Sequence, residues 1–273
     1  MTLIEDMEKK DPPSKAAFVW FLGGSSVAVK FHRQPLVFID LDAGKNDFDQ
    51  PPLGRAPGFK LRRTVTLPFD IADISAPAAY VSTHEHLDHC EQKASLSVVS
   101  KGGVFIGPRS ACENARKWRI SAERIWPMDG NRYEKKEYGD VLIYAAPGRD
   151  PNADASNIVV VCYDNICILH NGDSLYDGPN YLEISDKFTI DAAIINLGKN
   201  PKGRHWYHTP YDVARAANDM SPKVIIPHHY DKWDKIREDP LTIKRAMDAS
   251  YPEVSASTRL VILNPAERYE ITK

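Results

Sequence analysis

Cysteine is scarce in this chain of 273 residues, which holds only Cys90, Cys112, Cys162 and Cys167. None has the paired spacing of a zinc ribbon. Cys162 and Cys167 could face each other across a hairpin near Asp164-Asn165, but buried free thiols in a reducing compartment are the expectation. Cys90 is expected to pack rather than ligate. No apolar run is long enough to span a membrane, and the opening Met-Thr-Leu-Ile-Glu-Asp-Met-Glu-Lys-Lys-Asp has no apolar signal core. These absences point to a cytoplasmic protein with no membrane partner. An excess of positive charge is missing too: the formal net charge is −2. That argues against a general nucleic-acid binder, which carries a basic face. Short repeats and low-complexity segments are absent.

What is present is a globular composition. Apolar residues make up 42% of the chain, enough to fill a sizeable core. The length suits an α/β enzyme folded as one unit, read here as an N-terminal lead over 1–16 and a single domain over 17–273. Apolar runs at Phe18–Leu22, Val27–Phe31 and Leu36–Leu41 read as a strand meander. The Pro- and Gly-rich stretch 43–77 reads as an irregular excursion, locally basic through Arg55, Lys60, Arg62 and Arg63. Further strands are expected at 78–82, 141–146, 157–163, 166–170, 191–196 and, as the last, Leu260–Leu263. Ser110–Trp118 has helical character with Ser110 as its cap. Thr209-Pro210 reads as a helix cap followed by proline at the first helical position, and Pro240 precedes a helix to about Ser250.

Histidine is where the chain concentrates chemistry. Residues 83–90 read Thr-His-Glu-His-Leu-Asp-His-Cys and hold three of the nine histidines. This run follows Ala-Ala-Tyr-Val-Ser, a buried strand by composition, so the polar groups sit on a loop at a strand end. On extended backbone, residues two apart point the same way, and His84 and His86 can converge on one ion. Asp88 and His89 follow a turn and could face a second ion beside it. Imidazole and carboxylate together suit zinc, iron or manganese. The helical His-Glu-x-x-His zinc motif does not fit, because it needs histidines at i and i+4 on one face.

The block His84-x-His86-x-Asp88-His89 resembles the signature of the metallo-β-lactamase superfamily. That resemblance implies an α/β fold, an αββα four-layer sandwich, with one or two divalent ions at one edge. It implies further ligands later in the chain. Asp173, in Ile-Cys-Ile-Leu-His-Asn-Gly-Asp-Ser at 166–174, matches the bridging carboxylate. His229, in Lys-Val-Ile-Ile-Pro-His-His-Tyr at 223–230, matches the last ligand, with His228 as the alternative. Most members carry a mid-chain histidine after a strand; here Val141–Ala146 runs into Pro-Gly-Arg-Asp-Pro-Asn-Ala-Asp. Asp150 is the candidate in its place and Asp154 the second. An oxygen ligand there would favour a harder ion, manganese over zinc.

A closer resemblance spans residues 17–273. Trp20-Phe-Leu-Gly23, Phe38-Ile-Asp40, Val104-Phe-Ile-Gly-Pro-Arg109, Leu197-Gly-Lys-Asn-Pro-Lys-Gly203 and Val224–Trp233, in this order, are similar to the L-ascorbate-6-phosphate lactonase family. It implies a metal-dependent hydrolase acting on a lactone or ester of a small anionic, sugar-phosphate-like substrate. Water bound to such a metal ionises near neutrality, and Asp88 could serve as ligand or as proton acceptor. Lys199, Lys202, Arg204 and His205 are the candidate substrate-binding residues, since their charge suits an anion. The alternatives are a phosphodiesterase or nuclease on the same fold, which would need a basic track, and a non-catalytic metal-binding protein. A homo-oligomer is left open.

Overall fold

The computed structural model describes residues 2–44 and 61–273. Fourteen strands and seven helices alternate along them: α1 (Leu3–Lys9), β1 (Ala16–Gly23), β2 (Ser26–Phe31), β3 (Leu36–Ile39), β4 (Ala78–Val81), α2 (Gln92–Ser100), β5 (Val104–Gly107), α3 (Arg109–Lys117), β6 (Ile125–Pro127) and β7 (Lys135–Tyr138). Then follow β8 (Val141–Pro147), β9 (Asn157–Tyr163), β10 (Ile166–His170), α4 (Gly178–Lys187), β11 (Ala192–Asn196), α5 (Pro210–Met220), β12 (Val224–His228), α6 (Leu241–Ser250), α7 (Pro252–Ser257), β13 (Arg259–Leu260) and β14 (Arg268–Thr272).

The strands form two seven-stranded sheets, ordered β14-β1-β2-β3-β4-β5-β6 and β13-β12-β11-β10-β9-β8-β7. Each is antiparallel at one end and parallel at the other, with β3 to β6 and β10 to β13 parallel. Alternation along β1 shows how the layers are made. Ala17, Val19 and Phe21 face the core between the sheets, while Phe18, Trp20 and Leu22 face the helices. Strands covered on both faces are apolar throughout, which is why they stand out in the sequence. Ile4, Met7, Ala94, Val98, Ala111 and Ala115 cover the first sheet from outside. Tyr181, Ile184, Val213, Ala217, Ile243 and Met247 cover the second. The result is the αββα sandwich, and each large side chain buried in it contributes about 1.5–3 kcal/mol.

Several expectations need correction. The N-terminal lead carries a helix of its own: Thr2 and Glu5 form a capping box on α1, whose Ile4 and Met7 are buried. Ser110, the expected cap, lies inside α3, which begins at Arg109 with Pro108 at its cap; the Ser110 hydroxyl donates to Glu85 instead. The last strand is β14, which pairs with β1, and β13 ends at Leu260. Cys162 and Cys167 are joined in a disulfide rather than free. They are direct register partners across the β9–β10 hairpin, whose turn residues Asp164 and Asn165 both have positive φ, as a tight two-residue turn requires. Cys90 and Cys112 are buried and free, and burial pushes the Cys90 thiol up to about 12. It is a packed neutral thiol beside the motif. Arg55 and Lys60 of the basic excursion lie outside the described residues. Arg63 turns inward, its Nη1 2.6 Å from Asp42 Oδ2. Among the described residues no helix is long and apolar enough to cross a membrane.

Candidate metal centre

The polar groups gather at the C-terminal ends of β4, β8, β10 and β12, where both sheets open on one edge of the sandwich. The two halves are stitched together there. Asn157 N–H donates to Thr83 O at 2.9 Å, and His229 N–H donates to Gly24 O at 2.7 Å. Gly172, between β10 and Asp173, has φ +56, and a Cβ on it would lie 2.5 Å from Thr83 Oγ1. Glycine is what lets the Asp173 loop approach the motif loop this closely.

Two ligand clusters result. In the first, His84 Nε2 lies 2.9 Å from His86 Nδ1, and Asp150 Oδ2 lies 3.7 Å and 3.5 Å from those nitrogens. In the second, Asp88 Oδ2 is 3.7 Å from His89 Nε2 and 3.5 Å from His229 Nε2. Asp173 reaches both histidines of that cluster, Oδ2 at 3.4 Å from His89 and Oδ1 at 3.7 Å from His229. It also groups with His84 and His89, which places it between the clusters. Donor atoms about 3.3 Å apart are what a tetrahedral ion with ~2.0 Å bonds requires.

Hydrogen bonds on the far side of each ring assign the tautomers. Thr83 Oγ1–H donates to Asp40 Oδ2 at 2.7 Å, so its lone pair accepts His84 Nδ1–H at 3.0 Å. His86 Nε2–H donates to Asn152 O at 3.2 Å. His89 Nδ1–H donates to Asp40 Oδ2 at 2.7 Å. His84 Nε2 and His86 Nδ1 therefore aim lone pairs into the site, and His89 Nε2 faces it from the second cluster. Two such lone pairs 2.9 Å apart, facing a carboxylate oxygen, repel unless a positive charge lies between them. In the second cluster His89 Nε2, His229 Nε2 and Asp173 Oδ1 are buried with no hydrogen-bond partner among the described residues. Buried polar atoms are costly to leave unpaired. The donor set fits a divalent cation in both clusters.

Charge within the site is arranged to match. Burial would raise the Asp88 carboxyl, but Lys232, His89 and His229 overcome it and hold it well below the usual carboxylate range. Burial opposes protonation of His89, and Asp173, Asp88 and Asp40 outweigh it and raise it well above the usual histidine range. His84 is held well below that range by burial and by repulsion from His89 and His86. Asp150 is raised by burial and by Asp173.

The alternatives left open by the sequence separate here. Asp150 faces the His84–His86 pair; Asp154 is exposed and meets the site through its backbone N–H, which donates to Glu85 Oε1 at 2.6 Å. His229 faces Asp88 and Asp173, whereas His228 turns away, its Nε2 3.1 Å from Asn171 Oδ1 and its ring 4.4 Å from that of His170. The left-handed backbone at His229, φ +67, produces this division. The candidate substrate residues Lys199, Lys202, Arg204 and His205 are exposed, and His205 pairs with Asp212 at 3.4 Å. The residue of that loop that reaches the site is Tyr207, whose ring lies 4.6 Å from that of His229. Burial, with Asp173, Asp88 and Asp150 nearby, pushes its phenol well above its usual range.

Three residues outside the expected set support the ligands. Asp40, fully buried, accepts from Thr83 N, Thr83 Oγ1 and His89 Nδ1. Lys232, also buried, lies 3.2 Å from Asp88 Oδ2 and 3.0 Å from Asp42 Oδ2. Asn196 Nδ2 donates to the carbonyls of Gly172 and Ser174, on either side of Asp173. Partners of this kind orient ligands and tune their basicity.

No protein-family model matches this chain. The probable L-ascorbate-6-phosphate lactonase UlaG of Salmonella paratyphi B is 26% identical over 279 aligned positions, covering 89% of this chain and 77% of that protein. An isothiocyanate hydrolase from Delia radicum gut bacteria superposes with a TM-score of 0.73 at 15% identity, covering 93% of this chain and 98% of its own. The metallo-β-lactamase fold protein YhfI from Bacillus subtilis superposes with a TM-score of 0.63 at 12% identity, covering 94% and 100%. The chain has the metallo-β-lactamase fold, and its resemblance to the lactonase-like branch extends over most of its length.

Proposed function

We propose that this chain is a metal-dependent hydrolase that opens a lactone or ester of a small anionic substrate. The class follows from the similarity to the lactonases together with the ligand clusters. The observation that carries it is the convergence of imidazole nitrogens and carboxylate oxygens of His84, His86, His89, His229, Asp88, Asp150 and Asp173, with His84, His86, His89 and Asp150 oriented by hydrogen bonds behind them. His84, His86 and Asp150 would hold one ion and Asp88, His89 and His229 the other, with Asp173 between. Zinc suits the imidazole nitrogens, and the oxygen at Asp150 leaves manganese competitive.

When bound, the ions supply an acidified water and polarise the electrophilic oxygen. The chain does the rest. Asp40 fixes His89 and, through Thr83, His84. Lys232 keeps Asp88 anionic, so Asp88 can hold an ion or receive the proton of the attacking water. Tyr207 walls the site beside His229. Lys199, Lys202 and Arg204 stand exposed on the same loop, with His205 beside them, and their charge supports the anionic substrate class. The fold alone does not choose the bond, since an isothiocyanate hydrolase shares it.

The test is metal-free protein reloaded separately with zinc and manganese, then assayed on sugar-phosphate lactones, simple esters and phosphodiesters. Lactone turnover restored by metal is the expected result. Protein that takes up no metal sinks the hydrolase reading, and turnover of phosphodiesters alone replaces the lactonase reading with a phosphodiesterase. As a ligand test, His86→Ala should lose metal; full retention would refute the assignment.

A further inference from the structure

Glu85 sits between the first two histidines of the motif, and the proposed chemistry gives it no task. Its carboxylate nevertheless spans two other elements. Oε2 accepts Ser110 Oγ–H of α3 at 2.7 Å, and Oε1 accepts the backbone N–H of Asp154 at 2.6 Å. Asp154 belongs to the segment that carries Asp150.

That segment has little else to hold it. From Pro147 to Ser156 no apolar residue is buried, so hydrophobic packing does not anchor it. Its start is tied to the Asp173 loop, where Arg149 N–H donates to Ser174 Oγ at 2.7 Å and Arg149 O accepts Leu175 N–H at 2.8 Å. Its end is tied by the bridge between Ser156 and His84. Between these ends, the segment meets the motif loop through the Glu85–Asp154 bond, the contact of His86 Nε2 with Asn152 O, and the Asp150 carboxylate itself. Asp150 Oδ1 accepts Asn152 N–H at 2.9 Å, which turns Oδ2 toward His84 and His86. An aspartate side chain is short, so the loop itself must be held close for Oδ2 to reach within 3.7 Å of His84 and 3.5 Å of His86.

We propose that Glu85 is a positioning residue: it clamps the 147–156 segment between the motif loop and α3 and so sets the ion affinity of the His84–His86–Asp150 cluster. The proposal rests on the reading that Asp150 helps hold an ion. Removing a support of this kind weakens metal binding by about 10- to 100-fold.

The experiment is a double-mutant cycle on zinc affinity, measured by competition with a chromophoric chelator, with metal content determined alongside. The proteins are wild type, Glu85→Ala, Asp150→Ala, the double variant and Glu85→Gln. Glu85→Ala should weaken zinc binding, and the double variant should be no weaker than Asp150→Ala alone, because one residue acts through the other. Glu85→Gln should bind close to wild type: its Oε1 can accept Asp154 N–H while its Nε2 donates to Ser110 Oγ. Unchanged binding by Glu85→Ala, additive losses in the double variant, or Glu85→Gln as weak as Glu85→Ala would each overturn the clamp. Wild type that binds no zinc fails the functional reading instead, and unchanged binding by Asp150→Ala removes the ligand role of Asp150 and the clamp with it. If Glu85→Ala does not fold, Ser110→Ala releases the clamp from its other end. It should weaken binding severalfold, with no further loss when combined with Asp150→Ala; unchanged or additive binding would overturn the proposal.

Discussion

Lys232 Nζ lies 3.2 Å from Asp88 Oδ2 and 3.0 Å from Asp88 O, with its side chain 1% exposed. A buried ammonium therefore shares the carboxylate oxygen that faces His89 and His229. It also holds Asp42 Oδ2, the same oxygen that Arg63 Nη1 grips. Two carboxylates and two cations balance one another under the site.

Removing one member leaves the others buried without compensation. Lys232→Met should destabilise the metal-free protein by about 3–5 kcal/mol, the usual result of breaking a buried ion pair on one side. Urea unfolding in the presence of a chelator measures it. A change below ~1 kcal/mol, the size of an exposed pair, would contradict the arrangement.

Asp40 presents two oxygens to three donors. Asp40→Asn puts an NH2 where Thr83 Oγ1–H and His89 Nδ1–H need an acceptor, so both rings behind the ions lose their fixed orientation. Metal affinity should fall by about 10- to 100-fold with the fold retained. Circular dichroism beside a chelator competition separates the two effects, and wild-type affinity in the variant would be the adverse outcome.

Gly172→Ala tests the close approach of the two loops. The left-handed φ adds about 1–2 kcal/mol of backbone strain, and the new Cβ would push on Thr83, which holds His84. Thermal stability and metal content should fall together. A variant that keeps its full metal content would show that Thr83 can move without disturbing the ligands.

His208 gives the fold an acid sensitivity of its own. It is buried between Asn196 and Tyr181, and burial lowers its pKa to about 4. Its folded pKa is depressed, so the unfolded chain binds the extra proton first. The stability it contributes is fully present above the ordinary histidine value of 6.5 and is lost as pH falls toward about 4. Unfolding free energy measured across this window should decline with acidification, and His208→Gln should flatten the slope. A slope unchanged by the substitution would mean that other groups carry it.

The elements that the sequence reveals and those it conceals differ for a physical reason. Strands buried on both faces, such as Phe18–Leu22 and Val224–Pro227, are apolar throughout. The motif at 84–89 is dense enough to read on its own, and Thr209-Pro210 is a local cap with a local signal. By contrast β7 reads Lys-Lys-Glu-Tyr and β14 reads Arg-Tyr-Glu-Ile-Thr. They lie at the outer ends of the sheets, so little apolar surface marks them. The helix α1 did have a local signal in Thr2 and Glu5. Lys232, Asp40 and Glu85 act on the site through partners 144, 49 and 69 residues away, and spacing cannot show such pairings. The exposed charges at 199–205 stand out in the sequence, whereas Tyr207, which packs against His229, is uncharged and has no motif around it.

The donor atoms are scattered from His84 to His229 and meet only where both sheets end. No fragment of the chain can assemble this shell, and neither can the unfolded ensemble. An ion held there is a noncovalent rivet between the two halves, and it selects the native state by mass action. At a free concentration a hundredfold above its dissociation constant, it would add ~2.7 kcal/mol to the stability of the whole chain. Metal supply would then regulate how long the protein survives as well as how fast it works.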